Sequence, residues 1–139
     1  MRMKTAVYRL TLLILASVLL MTTAFAVEDS APGDNARYIA IATLAASLEI
    51  DSNGKALCGG YVLVSDPSYD VDVVMELLQL DGDTVKKTWT NSGNLTVHLV
   101  DKPWYVTSGH MYIVRFTANV YSGNTLIESE MTYSNIVNY

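Results

Sequence analysis

The sequence has a single cysteine, Cys58, among its 139 residues. An internal disulfide is therefore excluded, and packing must carry the stability. Proline occurs three times and histidine twice, and nine basic residues face fourteen acidic ones. No uninterrupted apolar stretch reaches the roughly 20 residues that a membrane span needs. The longest, from Leu10 to about Met21, follows Arg2, Lys4 and Arg9 and ends near "AFA". A positive start, a short apolar run and small residues at Ala24 and Ala26 describe a secretory signal peptide, with cleavage after Ala26. An uncleaved anchor is the competing reading. A lipid anchor would need a cysteine at the cleavage site, and Cys58 lies far beyond it.

Loss of residues 1–26 removes three basic residues and no acidic one, leaving a net charge of −8. That charge argues against nucleic acid and anionic membrane surfaces as partners. The mature chain is expected outside the cell, free of the membrane. Residues 27–36, "VEDSAPGDNA", are small and polar and read as a flexible leader. Residues 37–139 can hold one core as a single domain.

Within that domain β-rich segments alternate with turn clusters. They run approximately 38–50, 55–65, 69–80, 84–90, 94–100, 111–121 and 125–134. The breaks are "DSNG", "DPS", "DGD", "NSG", the longer "DKPWYVTSGH", and "SGN". Seven short strands so spaced predict an all-β antiparallel sandwich. Alternation supports strands over helices. Tyr112, Val114, Phe116, Ala118 and Val120 share one face, as do Tyr69, Val71, Val73, Met75 and Leu77. Ile127, Ser129, Met131 and Tyr133 oppose Glu128, Glu130 and Thr132 in the same way. The alanines of "YIAIATLAASLEI" suit a helix equally well, and periodicity leaves that segment open.

The strand series resembles a single immunoglobulin-like Greek-key sandwich. Tyr112 opens a strand after a long turn, where that fold has its tyrosine corner. Val114 and Cys58 fall where antibody domains carry their paired cysteines. The resemblance thus implies that Cys58 is a buried thiol facing an apolar residue, inert through burial. Gly59 and Gly60 beside it suggest a bulge or the close approach of another backbone. The third segment lacks the tryptophan of antibody domains. The signal peptide, "IDSNGKALCGGYV", "DGDTVKKTW" and "YIVRFTANVYSGNTLIESEMTYS" together are similar to short secreted β-sandwich proteins of Gram-positive bacteria, a family with no assigned function. That likeness concerns architecture and implies no activity.

No catalytic constellation stands out, so the protein is expected not to be an enzyme and to need no cofactor. His98 reads as a strand residue and His110 as a loop residue, with no zinc spacing between them. "DSNG" lacks the further acidic ligands of a calcium loop, so an EF-hand is excluded. Acidic turns converging on a calcium ion remain the weaker alternative to solvated turn aspartates. No metal site is expected. Paired carboxylates across a cleft would be needed for a glycosidase, and short turns offer little cleft.

Aromatic residues are the better candidates for function. Trp89, Trp104 and Tyr105 lie at strand ends or in the long loop, and Tyr61 has the parity opposite to Cys58, which aims it outward. Exposed aromatics on a β surface stack on sugar rings or anchor a protein partner. Alternatively, Trp104 and Tyr105 plug the end of the core. The expected role is a secreted binding or structural module that recognises protein or glycan. A subunit that assembles through edge strands is the alternative, since a long apolar first strand follows the leader. A small secreted hydrolase is a distant third.

Overall fold

The computed structural model describes residues 40–139. The signal peptide, its cleavage at Ala26 and the leader at 27–36 lie outside the described residues. Eight strands follow one another: β1 (Ile41–Ile50), β2 (Lys55–Val64), β3 (Asp70–Gln79), β4 (Thr84–Asn94), β5 (Thr96–Tyr105), β6 (Met111–Ser122), β7 (Thr125–Tyr133) and the two-residue β8 (Val137–Asn138). A small sheet has the order β1-β2-β5. A larger one has the order β4-β3-β6-β7, with β8 also on β6. All pairings are antiparallel. The fold is thus the expected all-β sandwich. β4 lies beside β3, whereas an antibody constant domain places its fourth strand beside the fifth.

The segment that suited either a helix or a strand is β1. Its inward residues Leu44, Ala46, Leu48 and Ile50 meet the core, and pairing with β2 satisfies one edge of its backbone. The alternating positions of β2, β3 and β6 are buried as their parity predicts. The largest fully buried side chains are Tyr112, Phe116, Met75 and Leu77. Turns fall where their chemistry puts them. In "DSNG" the Asp51 carboxylate accepts the N–H groups of Asn53 (2.8 Å) and Lys55 (3.0 Å), and Gly54 takes φ +80°.

The sequence-based limits of β4 and β5 need correction. "NSG" is strand, and the reversal falls at Leu95, with φ +60°. "DKPWY" is strand as well, so the long loop shrinks to residues 106–110. β5 absorbs an extra residue at Val100–Asp101, opposite Gly59, and Asp101 adopts φ +50°. That β-bulge hides the strand from a strict period of two.

β7 also departs from its pattern. Glu128, Glu130 and Thr132 pair with the buried Val120, Ala118 and Phe116 and so share the inward side. Met131 and Tyr133 lie outside, 53% and 49% exposed. The inward glutamate has a structural partner: Glu128 Oε2 accepts the N–H groups of Ala40 (2.7 Å) and Ile41 (2.9 Å) at the start of β1. Inward charge on an edge strand also discourages pairing with another chain.

Candidate functional site

Cys58 is buried in the core cluster with Val114, and burial pushes its thiol up to about 12. The tyrosine corner is present too. The buried Tyr112 donates its hydroxyl proton to the Thr107 carbonyl at 2.8 Å. Of the two expectations for Gly59 and Gly60, the bulge is found, on β5 opposite Gly59, while the close neighbours of both glycines are side chains rather than another backbone. A Cβ at Gly60 would stand 2.6 Å from Cγ of Phe116, and one at Gly59 would stand 2.5 Å from Oγ of Ser47.

Because β2 alternates strictly, Lys55, Leu57, Gly59, Tyr61 and Leu63 all face outward from the small sheet, half-buried. Ala45, Ser47 and Glu49 of β1 face the same way by register, opposite Tyr61, Gly59 and Leu57. On the other flank His98 and Pro103 lie opposite Tyr61 and Leu57, with the bulge between them. The missing side chain at Gly59 leaves a trough of about 280 Å³ in the middle of this face. Ser47, Glu49, Leu57, Tyr61, Val100 and Asp101 are among the residues that line it. Neither the Glu49 nor the Asp101 carboxylate meets a hydrogen-bond donor or a cation among the described residues.

Of the four aromatic candidates, Tyr61 and Tyr105 share this outer face. Tyr61 lines the trough, and Tyr105, 69% exposed, pairs with Lys55 about 20 Å farther along the sheet. The tryptophans lie elsewhere. Trp89 pairs with the buried Met75 and Trp104 with the buried Ala56, so both point between the sheets. They occupy the seam where β4 and β5 meet. Trp89 is partly buried against the core. Trp104 stays 37% exposed, and the Lys87 ammonium sits 4.8 Å from its ring centroid. The Asn91 side chain crosses the same seam to the His98 carbonyl at 3.0 Å. Neither Trp104 nor Tyr105 plugs the core end. Val106, Val137 and Tyr139 pack there instead.

Two polar clusters escaped sequence reasoning. His110 joins Asp81 side chain to side chain, and the other Asp81 oxygen accepts the Met111 N–H at 3.2 Å. The bond from His110 holds the Asp81 carboxyl below its usual range. Gln79 approaches the same imidazole at 3.2 Å. This clamp ties the β3–β4 turn to the loop before β6, and the separation of 29 positions between the partners left no local signal. On the outer face of the large sheet, Asp70, Asp72, Tyr121 and Asn124 line a shallow depression, and Ser92 donates to Asp72 at 2.7 Å. Arg115 meets Glu76 at 2.7 Å beside it on that face, and the bond raises the guanidinium further.

Among the described residues no group of three His, Cys, Asp or Glu side chains is placed to hold a metal ion. Among them, no helix is long and apolar enough to cross a membrane.

No family model matches the chain, and no curated protein matches it either. Solved structures do match in part. The chain is similar to Bacteroides uniformis β-glucuronidase 2 covalently bound to cyclophellitol-6-carboxylate aziridine, at 16% identity and a TM-score of 0.43, over 65% of this chain and 12% of that one. It is also similar to Ruminococcus gnavus β-glucuronidase in complex with uronic isofagomine, at 12% identity and a TM-score of 0.35, over 67% of this chain and 14% of that one. The chain therefore spans about one eighth of the length of these enzymes.

Proposed function

We propose that the protein is an exported, non-catalytic β-sandwich module that recognises protein or glycan outside the cell, akin to the short secreted sandwiches of Gram-positive bacteria. The outer face of the small sheet is its binding surface. The trough floored by Gly59 and walled by Tyr61 carries this reading. A concave, mixed apolar and polar patch on a rigid sheet is what a recognition surface needs. Neither histidine lines it, and its carboxylates stand on the two outer strands.

Binding of the exported protein to cell-surface extract tests the reading. Tyr61→Ala should remove most of that binding while leaving the melting temperature within about 2 °C, as a surface substitution does. Undiminished binding by Tyr61→Ala would sink it. Export has its own test. N-terminal sequencing should find Val27 first, and Ala26→Arg should block processing.

Edge-strand assembly is the second reading, favoured by β1, which among the described strands pairs with β2 alone, with Glu128 covering only the Ile41 N–H at the start of its other edge. Size measurement separates the two. A monomer supports the recognition module, and a ladder of sizes supports the assembling subunit.

A further inference from the structure

We propose that the trough between β1, β2 and β5 takes one uncharged pyranose ring of a glycan. The proposal rests on the small sheet's outer face being the binding surface, and it names the ligand class that face accepts.

Size sets the first bound. A trough of about 280 Å³ is far larger than one water needs and has room for one hexose ring with its hydroxyls. The lining chemistry sets the second. Tyr61, Leu57 and Val100 offer an aromatic and aliphatic wall for the C–H groups of a sugar ring. Ser47 can donate and accept, while Glu49 and Asp101 can only accept when ionised. Sugar hydroxyls donate as well as accept, and bonds to an ionised acceptor are about twice as strong as neutral ones.

Charge and spacing then choose among ligands. Among the described residues no lysine, arginine or histidine lines the trough. A uronate or sulfated sugar would bring its negative charge to two carboxylates with no cation between them. A basic peptide would use both carboxylates on one ammonium or guanidinium group. Here they stand on β1 and β5, either side of β2, and pair with different rows, Glu49 with Leu57 and Asp101 near Gly59. Two strand spacings alone separate their backbones by about 9.5 Å. That separation suits hydroxyls at opposite ends of a ring better than a single cation.

The local backbone is shaped for this concavity. The bulge turns Asp101 to φ +50°, a conformation that non-glycine residues seldom adopt. Bulges re-aim side chains beside functional sites, and such outliers cluster there. Across from it, Gly59 supplies the floor, and a Cβ there would stand 2.5 Å from Oγ of Ser47, which would have to turn away.

Titration of the ¹⁵N-labelled exported protein with chitotriose, maltotriose, cellotriose, trigalacturonate and tetralysine tests the proposal. At least one neutral trisaccharide should shift the amides of Ser47, Gly59, Tyr61 and Asp101 saturably, at a Kd of about 1 mM or tighter. Tyr61→Ala should weaken that binding by at least about tenfold. Asp101→Asn, which keeps an acceptor and loses the charge, should weaken it by less. Silence of all three neutral sugars at about 10 mM overturns the proposal. Salt-sensitive shifts with tetralysine alone also overturn it, while leaving the small sheet's outer face as the binding surface. Extract binding that survives Tyr61→Ala removes that surface and the proposal together.

Discussion

The Phe116 ring lies flat against the position where Gly60 would carry a side chain. Added there, a Cβ would stand 2.6 Å from Cγ and closer still to the neighbouring ring atoms. Gly60 is on β2 and Phe116 on β6, so this contact joins the two sheets across the core. It fills the interior that antibody domains fill with a disulfide and a tryptophan. Gly60→Ala should therefore destabilise the fold by about 3 kcal/mol, the upper part of the usual overpacking range. Phe116→Leu alone should cost about 1–2 kcal/mol, through lost burial. In the double variant the clash disappears, so its cost should fall below the sum of the two. Urea denaturation measures all three, and simple additivity would show that the ring and the glycine do not meet.

Cys58 should behave as a packed thiol. Maleimide should label it only after denaturant is added, and Cys58→Ser should cost about 1–3 kcal/mol by burying a hydroxyl. The pH dependence follows from its ionisation. The folded thiol titrates at about 12, and the unfolded thiol near 9.0. Between those values the unfolded chain has lost a proton that the folded chain keeps, so stability falls as pH rises. Cys58→Ala should flatten this alkaline slope between about pH 9 and 12. An unchanged slope would place the alkaline loss on other groups.

Period-two alternation made β2, β3 and β6 legible, and with them the core positions from Val71 to Val120. It failed where non-glycine residues take turn or bulge conformations. Leu95 and Asp101 carry positive φ without a glycine to announce it, which is why β4 and β5 extend past their expected ends. It misled at β7, because the inward Glu128 is stabilised by the backbone N–H groups of Ala40 and Ile41, 88 and 87 positions away. The outward aim of Tyr61 was legible from parity. The trough itself was not, because Ser47, Gly59 and Asp101 meet only once three strands pair in register.

The Asp81–His110 clamp should shape the acid limb of stability. Hydrogen bonding from His110 holds the folded Asp81 carboxyl below the 3.8 of the unfolded chain. Its contribution is complete above that value and is lost as pH falls through the lower folded pKa. Asp81→Asn should leave a smaller drop in melting temperature as pH falls below about 4. Parallel curves for the two proteins would show that the clamp contributes nothing.

The two tryptophans provide the sharpest contrast between sequence and structure. The long loop that the sequence predicts around Trp104 makes that residue the natural plug of the core and leaves Trp89 on the surface. The register reverses their weight. Trp89 pairs with the fully buried Met75 and packs against the core. Trp104 follows the β5 bulge, lies outside the core cluster and keeps 37% of its surface exposed beneath Lys87. Emptying a buried aromatic site costs about 3–5 kcal/mol, and partial burial scales that down. Trp89→Ala should cost about 2–3 kcal/mol and Trp104→Ala about 1–2 kcal/mol. Part of the Trp104 loss is its cation–π contact, worth about 0.5–1 kcal/mol at an exposed site. Lys87→Met should remove that part alone, and adding it to Trp104→Ala should cost nothing further. Denaturant melts of the four proteins decide the order. A larger loss for Trp104 than for Trp89 would restore it as the plug. Equal and negligible losses would move both rings to the surface and reopen the β4–β5 seam as a place for ligands to bind.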